Sequence, residues 1–258
     1  MAHSISRRQF LQGSGAAALS TAAAGLLSGC GGSSASNGGS TGAAGSSSTY
    51  TVLYSRQPAT LNYLICSADP DLYHGTQCVD TLVEYDNRGK IREGLATTWA
   101  WDADTLTWTF HLRDDVDWVD VNGEVKAHLT SKDFLVGLEW VLNAAKNQAN
   151  NTSMPSETLV GAADYYQKTS DMGDAAADLT YEDMLAAGVG IEAPDDYTLV
   201  FTCKNPCPYF DTVAAYTSFY PVSEDLITEL GIEGFRACDY TNMWYNGPYV
   251  VEEFISQN

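Results

Sequence analysis

The sequence predicts an α+β domain built on a mixed sheet. Stretches that alternate with period two, such as Leu106–Leu112, stand beside stretches with helical spacing, such as Phe134–Ala145. The two kinds follow one another without the regular βαβ rhythm of a doubly wound sheet, and no internal repeat is evident. Of 258 residues, the first 48 are an apolar and then a low-complexity tract, which leaves 210, enough for one large core or two small ones.

The chain opens with Arg7-Arg8 and an uncharged, Ala-rich run from Phe10 to Leu27, the charged and apolar regions of a secretory signal with a twin-arginine start. The run is only marginally long enough to span a bilayer, and much of it is Ala and Gly, so it reads as a cleaved signal. Leu27-Ser28-Gly29-Cys30 ends in a thiol that resembles the lipid-modified cysteine of lipoproteins. Acyl chains on Cys30 would hold the protein at a membrane surface. Residues 1–30 are therefore expected to be a twin-arginine lipoprotein signal. Residues 31–48, nearly all Gly, Ser, Ala and Thr, form a flexible linker whose ends are about 20–25 Å apart as a random coil. Residues 49–258 are the folded part.

Within it, Thr51–Tyr54 reads as an opening strand and Leu61–Pro70 as a loop. Thr76–Leu82 is expected to form a short helix, followed by the strand Val83–Tyr85 and a hairpin turn at Asp86-Asn87-Arg88-Gly89. Alternation places Leu106, Trp108, Phe110 and Leu112 on one face of a half-buried strand, with Thr107, Thr109 and His111 on the other. Asn122-Gly123 closes a hairpin within Trp118–Val125. Thr130 caps a helix with Asp133 in its first turn, and Phe134, Leu138, Val141, Leu142 and Ala145 line one face of it, the other face being polar. A loop over Gln148–Ser156 precedes helices at Leu159–Gln167 and Tyr181–Ala187. Gly190–Glu192 and Tyr197–Thr202 read as strands around a turn at Pro194-Asp195-Asp196. Helices at Tyr209–Ala215 and Glu224–Leu230 flank Pro221, and Gly247–Val251 reads as a final strand.

Composition narrows the function. Thirteen basic residues less Arg7 and Arg8 leave 11 against 33 acidic, a net charge of −22, which disfavours nucleic acid and anionic lipid as partners. With Cys30 assigned to lipid, Cys66, Cys78, Cys203, Cys207 and Cys238 remain, an odd number. A disulfide among Cys203, Cys207 and Cys238, or between Cys66 and Cys78, is expected, with the pairing open. Cys203-Lys204-Asn205-Pro206-Cys207 has no His near it in sequence and no second paired spacing, so no metal site and no cofactor are expected. His74, His111 and His128 show no ligand spacing, and neither a Gly-x-Ser-x-Gly elbow nor a phosphate-cradling Gly loop occurs. An enzyme is not expected.

A series of segments carries a family resemblance. Asp80-Thr81-Leu82-Val83-Glu84-Tyr85-Asp86 is followed by Ile91-Arg92-Glu93-Gly94-Leu95-Ala96-Thr97-Thr98-Trp99, then by Trp108-Thr109-Phe110-His111-Leu112-Arg113-Asp114-Asp115-Val116-Asp117-Trp118 and Thr130-Ser131-Lys132-Asp133-Phe134. Pro206-Cys207-Pro208-Tyr209-Phe210, Tyr220-Pro221-Val222 and Asn246-Gly247-Pro248-Tyr249 complete it. In this order, across residues 50–254, they resemble the oligopeptide, dipeptide and nickel class of solute-binding proteins that feed ABC importers. Read from the residues alone, Trp99, Trp108 and Phe110 are core aromatics, Arg113 pairs with a carboxylate or carbonyl, and Gly247 sits where a Cβ would obstruct.

The resemblance implies the first lobe of a two-lobed periplasmic-binding-protein-like fold, truncated, since members of that family run far beyond this length. It implies a ligand in the cleft between lobes. The loop Cys66-Ser67-Ala68-Asp69 would lend backbone groups to an extended peptide, with Met154 at the cleft rim. The implied function is a lipid-anchored, extracytoplasmic binding component of an ABC importer that captures oligopeptides or dipeptides, with the permease subunits as partners and the lipid on Cys30 as the membrane contact. The alternative is a surface sensor or docking module that keeps the binding fold without import. A third reading, a redox or metal protein using Cys203, Cys207 and Cys238, predicts stoichiometric metal in the purified protein.

Overall fold

The computed structural model describes residues 58–65, 69–147 and 151–255. The signal with Arg7 and Arg8, Cys30, the linker, the strand expected at Thr51–Tyr54 and Cys66 to Ala68 lie outside the described residues. Helices and antiparallel strands alternate irregularly, as an α+β architecture requires, and every strand pairing among the described residues is antiparallel.

Helix α1 (Asp69–Cys78) starts seven residues before the helix expected at Thr76–Leu82 and takes in Asp69 and Pro70 from the expected loop. A proline at the second helical position is compatible with that start, because its missing N–H has no intrahelical partner there. Strands β1 (Val83–Tyr85) and β2 (Ile91–Glu93) form the expected hairpin. Asp86 Oδ1 accepts the Arg88 and Lys90 N–H groups at 2.7 and 2.9 Å, so the turn is closed by its own first residue.

The main sheet has the order β3-β4-β8-β7, from β3 (Ala96–Asp102), β4 (Thr107–Leu112), β8 (Thr198–Thr202) and β7 (Ile191–Asp195). Trp108, Phe110 and Leu112 are buried on one face of β4 while His111 is exposed. Leu106 does not join them: it precedes the strand with a left-handed φ of 56° at the β3–β4 turn. Trp99 is half-buried, stacked 6.5 Å from Phe110. Pro194 lies within β7 and not in the following turn, tolerated because β7 is the sheet edge. A second hairpin joins β5 (Asp117–Val119) to β6 (Val125–His128). Its loop uses Gly123 at φ 81°, and Asp120 Oδ1 accepts the N–H groups of Asn122 and Glu124 at 2.9 and 3.0 Å.

Helix α2 (Ser131–Leu142) begins with the expected capping box, in which Asp133 Oδ2 accepts the Thr130 N–H at 2.9 Å. Trp118 Nε1 donates to the same oxygen at 3.2 Å, tying the β5–β6 hairpin to the helix start. Burial pushes the Asp133 carboxyl up to about 7 against those two donors. The expected polar face is absent: Ser131 and every residue from Asp133 to Leu142 are buried. This helix is covered all round, and its polar side chains, Glu139 foremost, are used inside. It ends at Leu142, so Ala145 belongs to a separate turn, α3 (Ala144–Asn147).

Part of the expected Gln148–Ser156 loop is helical, α4 (Ser153–Thr158), and 148–150 lie outside the described residues. Helix α5 (Ala162–Met172) starts later than expected because Leu159 is taken by a β-bridge to Cys203. A 3₁₀ turn (Gly173–Asp178) leads to α6 (Tyr181–Ala186), where Thr180 and Asp183 repeat the capping box. Helix α7 (Phe210–Val213) is shorter than expected and is followed by a 3₁₀ turn (Thr217–Phe219). Helix α8 (Glu224–Arg236) runs past Leu230 through a kink at Gly231, whose φ of 68° suits a residue without Cβ. Gly247–Val251 is not a strand, since no described strand lies beside it and only Tyr245 bridges to Val119. Gly247 packs against backbone, and a Cβ there would lie 2.7 Å from the Cys78 carbonyl carbon.

Phe110, Phe201, Phe210 and Phe219 lock the sheet to α7, with centroid distances of 5.1 to 6.5 Å. Trp140 meets Phe235 edge-on at 4.7 Å, joining α2 to α8. The expected disulfides are not formed among the described residues: Cys78, Cys203, Cys207 and Cys238 are buried free thiols. Burial pushes the Cys78, Cys203 and Cys238 thiols up to about 12, so little of the reactive thiolate forms there. Arg113 pairs with Asp115 through two hydrogen bonds, one of them Nη2 to Oδ2 at 2.7 Å.

Candidate functional site

Four short segments far apart in sequence meet behind residue 65. Asn62 opens the first, donating from Nδ2 to the Phe235 carbonyl at 2.6 Å and accepting the Leu64 N–H on Oδ1 at 3.0 Å. The Leu64 carbonyl accepts Asn151 Nδ2 at 2.7 Å. Asn151 Oδ1 in turn accepts Asn147 Nδ2 at 3.0 Å, and its carbonyl accepts Ser218 Oγ at 2.5 Å. All six residues are buried, so each bond replaces a water contact that burial has removed.

The neighbouring Tyr63 is equally fixed. Its Oη donates to the Pro221 carbonyl at 2.9 Å and its ring lies 6.0 Å from that of Tyr220. Burial, more than the nearby Cys238 and Asp133, raises its pKa well above that of a free tyrosine. His74 Nε2 on α1 lies 2.9 Å from the Leu61 carbonyl. Residues 61–64 therefore form a rigid strip held from α1, α3, the approach to α4 and the segment 218–235. At the back of the same wall, among the described residues, Asn147 Oδ1 and Thr217 Oγ1 have no hydrogen-bond partner.

Of the sequence-predicted binding residues, Cys66, Ser67 and Ala68 lie outside the described residues, Asp69 opens α1, and Met154 stands half-buried on α4. The Asn151–Leu64 bond ties the chain three residues before Met154 to the chain two residues before Cys66. The asparagines that do this were not singled out from the sequence. The only local signal is the amide-rich run Asn147-Gln148-Ala149-Asn150-Asn151 after an apolar helix, a composition that an exposed loop shares.

The wall can hold a segment in one conformation. Among the described residues no group of three or more His, Cys, Asp or Glu is placed to hold a metal ion. His111 and His128 lie on the sheet surfaces, where His128 faces Asp117 and Tyr197 and His111 faces Thr198. No helix of the described residues is long and apolar enough to cross a membrane.

If the asparagine frame fixes the strip, Asn151→Ala removes the side-chain partner of the Leu64 carbonyl and of Asn147 Nδ2, while the Ser218 bond to the backbone carbonyl of residue 151 stays. A loss of about 2–3 kcal/mol is expected, one or two buried groups at about 1–3 kcal/mol each. Urea unfolding measures it, and a loss below about 0.5 kcal/mol, the range of ordinary surface substitutions, would contradict the frame.

The chain is similar to known proteins in sequence and in fold. Residues 90–258 match the family described as bacterial extracellular solute-binding proteins, family 5 Middle, and residues 4–27 match the twin-arginine translocation pathway signal sequence. The oligopeptide-binding protein AmiA of Streptococcus pneumoniae serotype 4 is 31% identical over 209 residues, 81% of this chain and 29% of its own. AliB of the same organism, also an oligopeptide-binding protein, is 32% identical over 83% of this chain and 30% of its own. Haemophilus influenzae OppA in complex with the peptide RPPGFSPFR superposes with a TM-score of 0.64 at 27% identity, covering 77% of this chain and 34% of that one. The chain thus spans about 30% of the length of the relatives it matches.

Proposed function

The chain belongs to the family 5 bacterial extracellular solute-binding proteins, with a twin-arginine export signal before it, and from that membership we propose that it captures oligopeptides or dipeptides outside the cytoplasm for an ABC importer. The observation that carries the proposal is the likeness, over four-fifths of the chain, to two oligopeptide-binding proteins. The rigid strip 61–64 supports it. A backbone fixed by Asn62, Asn151 and Tyr63 gives a ligand little ordering entropy to overcome, which is what recognition through main-chain groups needs. We further propose the organisation in which residues 1–30 are removed with lipid on Cys30, residues 31–48 tether the protein to the membrane, and residues 49–258 contribute one wall of the ligand cleft. The segment Cys66–Asp69 lends backbone groups to the peptide, Met154 stands at the rim, and the partners are the importer's permease subunits. The work is binding and release, with no bond made or broken.

Linkage supplies the test. A peptide present at 100 times its Kd stabilises the native state by about 2.7 kcal/mol. The full-length product is therefore expected to melt several degrees higher with a matching member of a peptide panel that includes RPPGFSPFR. A flat response of well-folded protein to every peptide, nickel chelate and sugar offered would overturn the proposal.

A further inference from the structure

Away from the asparagine wall, a groove of about 430 Å³ runs along the free edge of the main sheet, floored by Val160, Leu185, Val189, Ile191 and Ala193 and bordered by Glu192. Its shape is set by backbone. The Val160 N–H donates to the Thr202 carbonyl at 3.1 Å and the Gly190 N–H donates to the Val160 carbonyl at 2.9 Å, so Val160 is held in place with its side chain exposed at the mouth.

The surroundings of the groove are unusually acidic. Residues 157–196 contain ten acidic side chains and one basic one, Lys168, so this sixth of the chain carries −9 of the net −22. Lys168 Nζ is directed to the Tyr165 ring, 6.0 Å from its centroid. Exposed Glu182 and Asp183 stand on α6, which supplies Leu185, and exposed Asp195 and Asp196 follow Pro194. The cation nearest to them on α2, Lys132, is already bonded to Glu224 at 2.5 Å. Hydrogen bonds hold the Asp195 and Glu182 carboxyls below their ordinary range, so both are ionised at neutral pH.

We propose that this groove docks a short cationic segment of a partner protein, one that seats an aliphatic side chain against Val160 and Leu185 while flanking lysines or arginines meet Glu192 and the acidic rim. An apolar floor selects the side chain, the carboxylates select the charge, and together they exclude anionic partners. The segment is short because Pro194 interrupts the N–H row along β7 and limits edge pairing. The inference does not depend on what solute the protein carries.

Fluorescence anisotropy of the full chain with a labelled Lys-Lys-Leu-Val-Lys-Lys peptide tests it. Expected is saturable binding that weakens about tenfold or more in Glu192→Lys, and by a similar factor when Ser-Ser replaces Leu-Val in the probe. Glu93→Lys makes the same change of net charge at an exposed position of β2, beside β3 at the sheet edge opposite β7, and should shift Kd by less than about twofold. Val160→Lys, at an exposed position, serves as a second groove variant should Glu192→Lys melt early. The proposal is overturned if Glu93→Lys weakens binding as much as the groove variants, which would make net charge the whole effect. It is equally overturned if the Ser-Ser probe or a Glu-Glu-Leu-Val-Glu-Glu probe binds as tightly, or if no probe binds.

Discussion

Replacing Lys146 with methionine is expected to destabilise the domain by about 3–5 kcal/mol, because it leaves the Glu139 carboxylate buried without a cation. Lys146 Nζ donates to Glu139 Oε2 at 2.8 Å and to the Leu179 carbonyl at 2.5 Å, and both side chains are nearly inaccessible. Glu139 Oε1 accepts Asn143 Nδ2 at 2.8 Å and Tyr165 Oη at 3.1 Å, so the carboxylate joins α2, α3 and α5 at once. The pair itself need not be a large net stabiliser, since two desolvated charges recover through contact roughly what they lost. Removing one partner is what exposes the cost. Lys146→Met with Glu139→Gln should therefore be more stable than Lys146→Met alone, and the double-mutant cycle gives the coupling directly.

The same variant should show a distinctive pH dependence. Burial already holds the Glu139 carboxyl above the ordinary glutamate range, opposed by the Lys146 ammonium, and without that ammonium it rises further. A carboxyl raised in the folded state favours folding below its unfolded pKa and loses that contribution as pH rises through the folded value. The deficit of Lys146→Met should therefore be largest at neutral pH and shrink as pH falls toward the ordinary glutamate value. A pH-independent deficit in urea titrations would mean that Glu139 is not the cause.

Phe210→Ala carries the other large effect, about 3–5 kcal/mol, the cost of emptying a fully buried aromatic site. Phe210 is the point where four rings converge: its centroid lies 5.1 Å from Phe201, 5.4 Å from Phe219 and 6.5 Å from Phe110. Two of those partners stand on adjacent strands and one on the 3₁₀ turn after α7, so no single neighbour can move in without leaving another face. Phe210→Leu keeps most of the volume and should cost less than about 2 kcal/mol. The urea midpoint should fall with little change of slope, and a loss under about 1 kcal/mol in Phe210→Ala would show that the surrounding rings collapse into the gap.

Much of the local structure could be read from residues three or four apart. Asp86 with Gly89, Asp120 with Gly123, and Thr130 with Asp133 each complete a turn or cap within one short segment, and each forms as the spacing predicts. The family resemblance was legible for a related reason, since its segments include turns, caps and core aromatics that keep their order along the chain. The asparagine wall was not legible. Asn62, Asn147 and Asn151 have no periodicity to mark them, and Asn151 becomes buried only because Leu64 and Ser218, 87 and 67 positions away, close around it.

The sequence by itself determined the export signal, the charge balance, the α+β composition, the two hairpins and the starts of α2 and α6. Tertiary structure alone decided that α2 is buried all round, that α1 begins at Asp69, that α8 continues through Gly231, that Gly247–Val251 is not a strand and that Asn151 is bonded to the Leu64 carbonyl. The division follows from the range of the forces involved. Caps and turns satisfy backbone groups within a few residues and leave a local signature, whereas burial and strand pairing are supplied by neighbours that the chain brings close only by folding.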